Sequence, residues 1–326
     1  MKTRKKQGKK ILLIVAAVLL LLLICDIAVT EIGAHKIPHR FASAQEGREL
    51  LLANTGYYAG MQQKDLDFRM GHSGATLEEL LDASAADIKG FSLPEKLIMD
   101  HHIAKMARTL RRNGYSLPLT EEIVYIKTDM TTEGISASGY THGHEIYLNS
   151  VNVLFSVVPG AGEYFDELLW HELFHCLTRN DPEFRSDAYA LIGFTVAESD
   201  FELPPCAREL YFSNPDVEHH DAHASFVIDG RETDCFLAWI FTEDSSSYET
   251  TPALIPTDGT DTYYLPDRAS NFDDVFGRNT DYVNDPEECL ADNFACAMLY
   301  GPEGRNAQGY PDPEIILGLI DLMRRS

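Results

Sequence analysis

Positive charge is scarce in this chain. It has 27 Lys and Arg residues against 51 Asp and Glu residues, and its net charge is −24. The first ten residues, MKTRKKQGKK, hold six of the basic residues and no acid, so the remainder is more acidic still. A surface of this sign repels phosphate backbones, which excludes nucleic acid as a partner.

Cysteines are also few, and the chain has no internal repeat. Five cysteines follow the first 30 residues, and an odd number leaves at least one unpaired. The sequence assigns no disulfide pair among Cys176, Cys206, Cys235, Cys289 and Cys296. The apolar fraction is ordinary for a globular protein, so we expect a domain with a real hydrophobic core.

One long apolar run stands near the N-terminus. Residues 11–24 read ILLIVAAVLLLLLI, and the stretch continues to residue 29 with one interruption at Asp26. This length suits a bilayer core, and the preceding positive charges predict a cytoplasmic tail at 1–10, with the rest of the chain outside. We therefore expect a transmembrane signal anchor at 11–29. A cleaved signal peptide, giving a secreted protein, and lipid attachment through Cys25 are the alternatives.

The remaining chain divides by its periodicity. We predict a juxtamembrane spacer at 30–50 and an extracytoplasmic domain at 51–326, with a helical lead-in at 51–115 and a catalytic core at 116–326. Residues 45–115 could instead be a pro-segment. Helices are expected at 76–88, 95–112, 163–178, 183–198, 286–300 and 313–324, and strands at 121–129 and 144–150. Residues 131–143 and most of 201–285 are predicted as loops, the latter with a few short strands. The fold class is α+β, with a small mixed or antiparallel sheet, a site-bearing helix and a mostly helical C-terminal part.

The helix predicted at 163–178 contains the motif HExxH. His171 and His175 are four residues apart, so they lie on one helix face and can hold one zinc ion together. Glu172, between them, can accept a proton from a water that zinc activates. The flanking apolar residues indicate a largely buried helix, where three polar side chains without partners would be costly.

A catalytic zinc ion needs a third protein ligand. Glu288 is favoured because Glu288 and Asp292 form ExxxD on a predicted helix. Glu288 can bind the metal while Asp292, one turn later, holds a ligand histidine by its free N–H. Four further acids stay open as third ligands, namely Asp181, Glu183, Glu198 and Glu287.

An HExxH motif followed by a distant ExxxD resembles the gluzincin clan, the thermolysin-like zinc metallopeptidases. The strings HELFHCLTRND (171–181) and EECLADNFA (287–295), with Asn214-Pro215-Asp216 between them, are also similar to poorly characterised bacterial exported zinc peptidases. The resemblance covers roughly 140–300 and implies a zincin-like fold around one zinc ion. It implies His171, His175 and Glu288 as ligands, Glu172 as the base and Asp292 as the carboxylate behind a ligand. Glu288 lies more than a hundred residues beyond His175. Either a large insertion occupies 200–285 or the third ligand is nearer.

The sequence offers a weak candidate for the group that stabilises the oxyanion. His219, His220 and His223 cluster after Asn214-Pro215-Asp216, and His220 is favoured because Asp221 could orient it. His142 and His144 alternate on a predicted strand. If that strand borders the cleft, its backbone could pair with an extended peptide.

The function predicted from the sequence is a membrane-anchored zinc metallopeptidase. Its partners would be a peptide or protein substrate and, through the anchor, the membrane. Two other functions remain open. One is a zinc-containing binding or assembly module of the cell envelope that has no turnover. The other is a zinc amidase that acts on cell-wall material.

Overall fold

The computed structural model describes residues 17–18, 20–25, 37–133, 137–242 and 248–325. None of the helices in these ranges is long and apolar enough to cross a membrane. The tail predicted at 1–10 lies outside the described residues, as does most of the anchor predicted at 11–29.

The described chain from residue 37 onward is an α+β fold with two sheets. The first sheet contains β1 (His39–Phe41), β2 (Ile88–Lys89), β3 (Ile123–Thr128), β4 (Gly139–His142) and β5 (Glu145–Asn149). Its order is β1-β3-β5-β4, and β2 pairs with β3 outside this path. Strands β1, β3 and β5 run parallel, whereas β4 runs antiparallel to β5 at the edge. The sheet is therefore mixed, which is one of the two arrangements predicted.

The second sheet is antiparallel and has the order β6-β7-β8-β9. Its strands are β6 (Thr195–Val196), β7 (Ala222–Ile228), β8 (Arg231–Phe241) and β9 (Thr250–Pro256). The prediction for 201–285 was long loops with a few short strands. Strands β7 to β9 lie in this segment, but β8 is longer than expected, with eleven residues. The helix predicted at 183–198 also stops early, and β6 follows it.

The helices surround the first sheet and connect it to the second. Between residue 37 and β3 there are five, namely α1 (Ala44–Ala53), α2 (Thr55–Ala59), α3 (Gln63–Met70), α4 (Leu77–Asp87) and α5 (Leu93–Asn113). Four follow β5, namely α6 (Ser150–Phe155), α7 (Ala161–Asn180), α8 (Pro182–Ala190) and α9 (Pro205–Arg208). The last three are α10 (Phe272–Phe276), α11 (Pro286–Tyr300) and α12 (Pro313–Arg325).

Local capping explains why several helices begin where the sequence predicts. Thr76 accepts a hydrogen bond from the Glu79 N–H, and Glu79 bonds back to the Thr76 N–H, which forms a capping box at the start of α4, the helix predicted at 76–88. Asp285 caps α11 with Pro286 at its first position. These signals act within one turn, so they can be read without knowing the fold.

Helices α7 and α11 pack against each other at the centre of the main core. The rings of Trp170 and Phe174 on α7 lie 6.0 and 5.3 Å from the ring of Phe294 on α11. All three side chains are almost fully buried. This apolar contact holds the polar face of α7 beside the acidic N-terminal turns of α11.

The lead-in is part of the same core. Strand β1 lies in the first sheet although its residues fall in the segment predicted as a spacer, and α5 buries Met99, Ile103 and Met106 in the cluster that contains Trp170. Arg69 on α3 donates to the backbone oxygen of Ser213 over 2.8 Å. These contacts join the lead-in to the core and to the segment before the second sheet.

Candidate metal centre

Helix α7 presents the two histidines of HExxH on one face. The ring centroids of His171 and His175 are 4.9 Å apart, and the planes are nearly perpendicular at 80°. His175 is fully buried, whereas His171 keeps a small exposed area on the cleft side. The four-residue spacing brings the rings together because one helical turn is 3.6 residues.

Two carboxylates of α11 hold the inner nitrogen of each ring. His171 Nδ1 lies 2.8 Å from Oδ1 of Asp292, and His175 Nδ1 lies 3.0 Å from Oε1 of Glu287. Glu287 also accepts hydrogen bonds from the hydroxyl groups of Thr178 and Tyr189. A carboxylate at Nδ1 orients the ring and directs the Nε2 lone pair outward, as in many metal sites.

The outer nitrogens of both rings face one oxygen of Glu288. Oε2 of Glu288 lies 3.1 Å from His171 Nε2 and 3.7 Å from His175 Nε2. One ligand atom from each of the three residues lies within 4.8 Å of the others. His175 Nε2 is buried and makes no hydrogen bond to any residue that the structure describes. The set of two imidazole nitrogens, one of them buried without a partner, and one carboxylate fits a divalent metal with N and O ligands.

His171, His175 and Glu288 form a candidate metal-binding triad, and the charges around it favour a cation. Burial opposes a charged His171, but its hydrogen bonds to Asp292 and Glu288 outweigh burial and raise its pKa well above the usual value. Burial likewise opposes a charged Glu288, yet the hydrogen bond from His171 and the nearby histidines hold the pKa of Glu288 at about 2. The same donor set that stabilises a proton here can stabilise a metal ion.

Glu172 lies beside the triad and has an oxygen without a partner. Its side chain is 2% exposed, and Oε2 makes no hydrogen bond. Burial and then the charge of Asp216 raise the pKa of Glu172 well above its usual value. Glu172 packs against Gly139 of β4, where a Cβ atom would lie 2.8 Å from Cδ of Glu172. A glycine at 139 is therefore what lets this carboxylate approach the edge strand.

The segment that follows Ser213 closes the site from the second sheet. The side-chain amide of Asn214 donates to Oε1 of Glu288. The backbone N–H of Thr141 donates to Asp216 over 2.7 Å, and Arg179 donates to the backbone oxygens of Pro215 and Asp216, each over 3.0 Å. Arg179 on α7 and Asp216 thereby fix β4 beside the site helix.

The site lies in the wall of a cleft of about 660 Å³. Its walls include His171, Glu172 and Glu288, residues 137–140 before and within β4, and side chains of α3 and the second sheet. A cavity of this size is typical of small-molecule and peptide sites. His171 and Glu288 are therefore accessible to a ligand from the cleft, whereas His175 is fully buried.

Tyr282 is a site residue that the sequence analysis missed. Its ring centroid lies 6.1 Å from that of His171, and its side chain lines the same cleft. Burial and then the charge of Glu288 raise the pKa of Tyr282 well above its usual value, so the phenol stays a hydrogen-bond donor at neutral pH. No local pattern marks Tyr282, because it lies in a connecting segment and only tertiary contacts bring it to the site.

His220 is not brought into the cleft. Its ring packs 5.4 Å from Tyr211 and 6.0 Å from Phe236, and it contacts a separate small cavity. Asp221, the expected orienting partner, forms a bidentate ion pair with Arg185 instead. The structure therefore gives no support to His220 as the oxyanion donor.

The other acids weighed as third ligands lie elsewhere. Asp181 caps α8 by accepting from the N–H groups of Glu183 and Phe184. Glu183 and Glu198 are exposed, and Glu287 contacts the Nδ1 side of His175. Among the five acids considered, Glu288 is the one that faces both Nε2 atoms.

The edge of the first sheet is β4, which falls in the segment predicted as loop. His142 lies in β4, where it is buried 5.0 Å from the ring of Tyr57, and burial lowers its pKa to about 3. His144 lies in the turn before β5 and pairs with Glu121 over 2.7 Å. Neither histidine lines the cleft, but Gly139 and Tyr140 of the same strand do.

Comparison with known proteins identifies no relative of this chain. No family profile matches it, and neither a curated protein nor a solved structure is similar enough to count as a match. Any functional conclusion therefore depends on the residues of the site.

Proposed function

We propose that the chain is a zinc-dependent peptidase of the gluzincin type. One observation carries the proposal: the Nε2 atoms of both HExxH histidines face the same oxygen of Glu288, while carboxylates hold both Nδ1 atoms. A histidine pair on a solvated helix face would need neither the converging carboxylate nor the two orienting ones. The zincin-like interpretation of the fold belongs to this proposal, and the mixed sheet beside α7 is consistent with it.

Zinc suits this donor set. His171, His175 and Glu288 would hold it and leave one position towards the cleft, which is the arrangement of catalytic zinc sites. When bound there, zinc supplies a Lewis acid that polarises a carbonyl group and lowers the pKa of water towards neutrality.

Glu172 is the proton acceptor in this proposal. Its carboxylate is adjacent to the ligand His171, lines the cleft and has a free oxygen. A base so placed can take a proton from the attacking water and later deliver it to the leaving amine. Burial, which raises the pKa of Glu172, makes its ionised carboxylate a stronger base towards that water.

Tyr282 is the proposed donor to the substrate oxygen. Its phenol lies in the cleft beside His171 and stays protonated at neutral pH. A fixed O–H donor stabilises charge that develops on a carbonyl oxygen in the transition state. Tyr282 takes over the role that the sequence analysis gave to His220.

Strand β4 is the proposed substrate-binding edge. Among the described strands it pairs only with β5. The N–H of Thr141 donates to Asp216, so the part of its other side at Gly139 and Tyr140 is what can accept an extended peptide backbone. Gly139 and Tyr140 bring that side to the cleft that contains Glu172. This geometry favours a peptide over a compact substrate.

The location outside the membrane, tethered by residues 11–29, is part of the same proposal. Its support is the apolar run and the basic residues that precede it.

The test is hydrolysis of casein and of a mixed peptide library by the purified full-length chain in detergent. Cleavage should stop after chelation, return with stoichiometric Zn²⁺ and be lost in Glu172→Gln although this variant still binds zinc. Glu172→Gln with full activity, or a wild-type chain that binds zinc and cleaves no peptide, would reject the proposal.

A further inference from the structure

The described residues that line the cleft include many more acidic than basic side chains. They include six acidic side chains, namely Glu133, Glu167, Glu172, Asp216, Glu288 and Asp292. Against these stand one arginine, Arg69, and one histidine, His171, whose two nitrogens already face Asp292 and Glu288. A bound divalent metal would reduce this excess without reversing it. The cleft therefore repels anionic substrate groups before any specific contact forms.

Arg69 is not available to a substrate, because its guanidinium already bonds to groups of the protein. Its guanidinium pairs with Asp65 over 2.8 Å and with Glu133, and it donates to the backbone oxygen of Ser213. Arg69 and Asp65 are both almost fully buried. No described cation of the cleft wall is thus free to bind an acidic side chain of a substrate.

Most of the carboxylates also have partners within the protein. Asp292 bonds to His171 and to the hydroxyl of Thr280, and Glu288 bonds to His171 and Asn214. Asp216 accepts from the backbone N–H of Thr141. Glu133 pairs with Arg69. Glu172 keeps one free oxygen, which the proposed reaction requires.

Glu167 is different, because it has no hydrogen bond or ion pair among the described residues. It lies one turn before His171 on α7, about 6 Å along the helix axis from the first ligand. Its side chain is half-buried in the cleft wall beside Leu168. Burial raises the pKa of Glu167. The charge of Arg305 opposes this rise, but Arg305 pairs with Glu163 and does not bond to Glu167.

We infer that Glu167 is a specificity residue that selects a lysine or arginine side chain of the substrate close to the scissile bond. This inference rests on the proposed peptidase function. A cationic side chain that reaches Glu167 would supply the partner that the protein does not provide. The acidic surface of the whole chain would also attract basic peptides over a longer range.

The experiment compares kcat/KM for quenched fluorescent peptides cleaved by the full-length zinc-loaded enzyme. The peptides differ only in carrying Lys, Gln or Glu at one of the three positions on each side of the scissile bond. We expect Lys to be preferred over Gln by about five- to tenfold at one position, as for a partly exposed ion pair, and Glu to be the poorest.

Two variants assign that preference to Glu167. Glu167→Gln should bring the Lys to Gln ratio close to one, mainly through KM, and Glu167→Lys should favour the Glu peptide. Glu163→Gln is the matched control: it removes the same charge one turn away, where Glu163 pairs with Arg305 and does not line the cleft. This control should keep the wild-type ratio.

The outcomes separate the two proposals. A wild-type ratio near one at every position, or a preference that survives in Glu167→Gln, overturns this inference while peptide cleavage itself remains. Absence of cleavage for every peptide overturns the peptidase proposal, and this inference with it.

Discussion

His175 donates a hydrogen bond from Nδ1 to Oε1 of Glu287 over 3.0 Å, while its Nε2 faces the neighbouring acid Glu288. Two consecutive residues of α11 thus contact opposite sides of one imidazole ring. This arrangement places the proton on Nδ1 and directs the Nε2 lone pair into the proposed metal site. Glu287 therefore orients the ring, whereas Glu288 is the proposed metal ligand.

Removing the Glu287 carboxylate should weaken zinc binding. Glu287→Ala should lower zinc affinity by about 10- to 100-fold, because the His175 ring loses the acceptor that fixes its tautomer. Competition with a chromophoric chelator measures the affinity. Glu287→Gln keeps an acceptor oxygen, so its zinc affinity should lie between those of Glu287→Ala and the wild type. The exposed Glu314→Gln on α12 should have the zinc affinity of the wild type. Unchanged affinity in Glu287→Ala would show that this bond does not orient the ligand.

Tyr282→Phe should slow the chemical step and leave the site assembled. The phenol is a donor near the proposed reacting oxygen, so its loss should lower kcat by about 100-fold, as for one oxyanion donor, with little change in KM or zinc content. Steady-state kinetics with a peptide substrate and metal analysis measure these quantities. A wild-type kcat in Tyr282→Phe would exclude Tyr282 as the oxyanion donor. His220→Phe is the control and should leave kcat within about twofold of the wild-type value, because His220 lies outside the cleft.

Gly139→Ala should impair catalysis through steric overlap. The added Cβ would lie 2.8 Å from Cδ of Glu172, so the proposed base must move away from β4. We expect kcat to fall at least tenfold, with zinc affinity unchanged, since Gly139 does not contact a ligand. Gly56→Ala in α2 is the control, because a Cβ there meets no atom within 4 Å. Equal activity of the two variants would mean that the close approach of Gly139 and Glu172 is unimportant.

Asp166 should contribute stability that depends on pH. Burial alone would raise its pKa, but hydrogen bonds with His102 (2.6 Å) and Lys105 hold it below the usual value. This contribution is therefore present above the unfolded-state pKa of about 3.9 and is lost as the pH falls through the lower folded-state value. Asp166→Asn should reduce the free energy of unfolding by about 1–3 kcal/mol at neutral pH and by less at about pH 3. Urea unfolding at both pH values measures the difference, and an equal loss at both would contradict the electrostatic cause.

Features encoded within one or two helical turns were predictable from the sequence. The pairing of His171 with His175, the capping of α4 and the common face of Glu288 and Asp292 all depend on helical spacing alone. They also reach the expected positions in the structure. The separate contact of Glu287 with His175 was not predicted, because it depends on how α11 is rotated against α7.

Tertiary features could not be read in the same way. Strand β4 has four residues and begins with glycine, so its pattern is too short to distinguish from a turn. Tyr282 and Asn214 reach the site through connecting segments whose course no local signal fixes. His220 was favoured from its neighbours in sequence, yet its ring is directed towards Tyr211 and Phe236 by the packing of the second sheet.

The proposed function depends on the binding of one zinc ion by His171, His175 and Glu288. A crystal structure of the zinc-loaded chain, with anomalous data collected on both sides of the zinc edge, tests this binding. We predict a single anomalous peak about 2.0–2.2 Å from Nε2 of both histidines and from a carboxylate oxygen of Glu288. A peak ligated by Glu172 and Asp216 in place of Glu288, or no peak in a stoichiometrically loaded crystal, would contradict it.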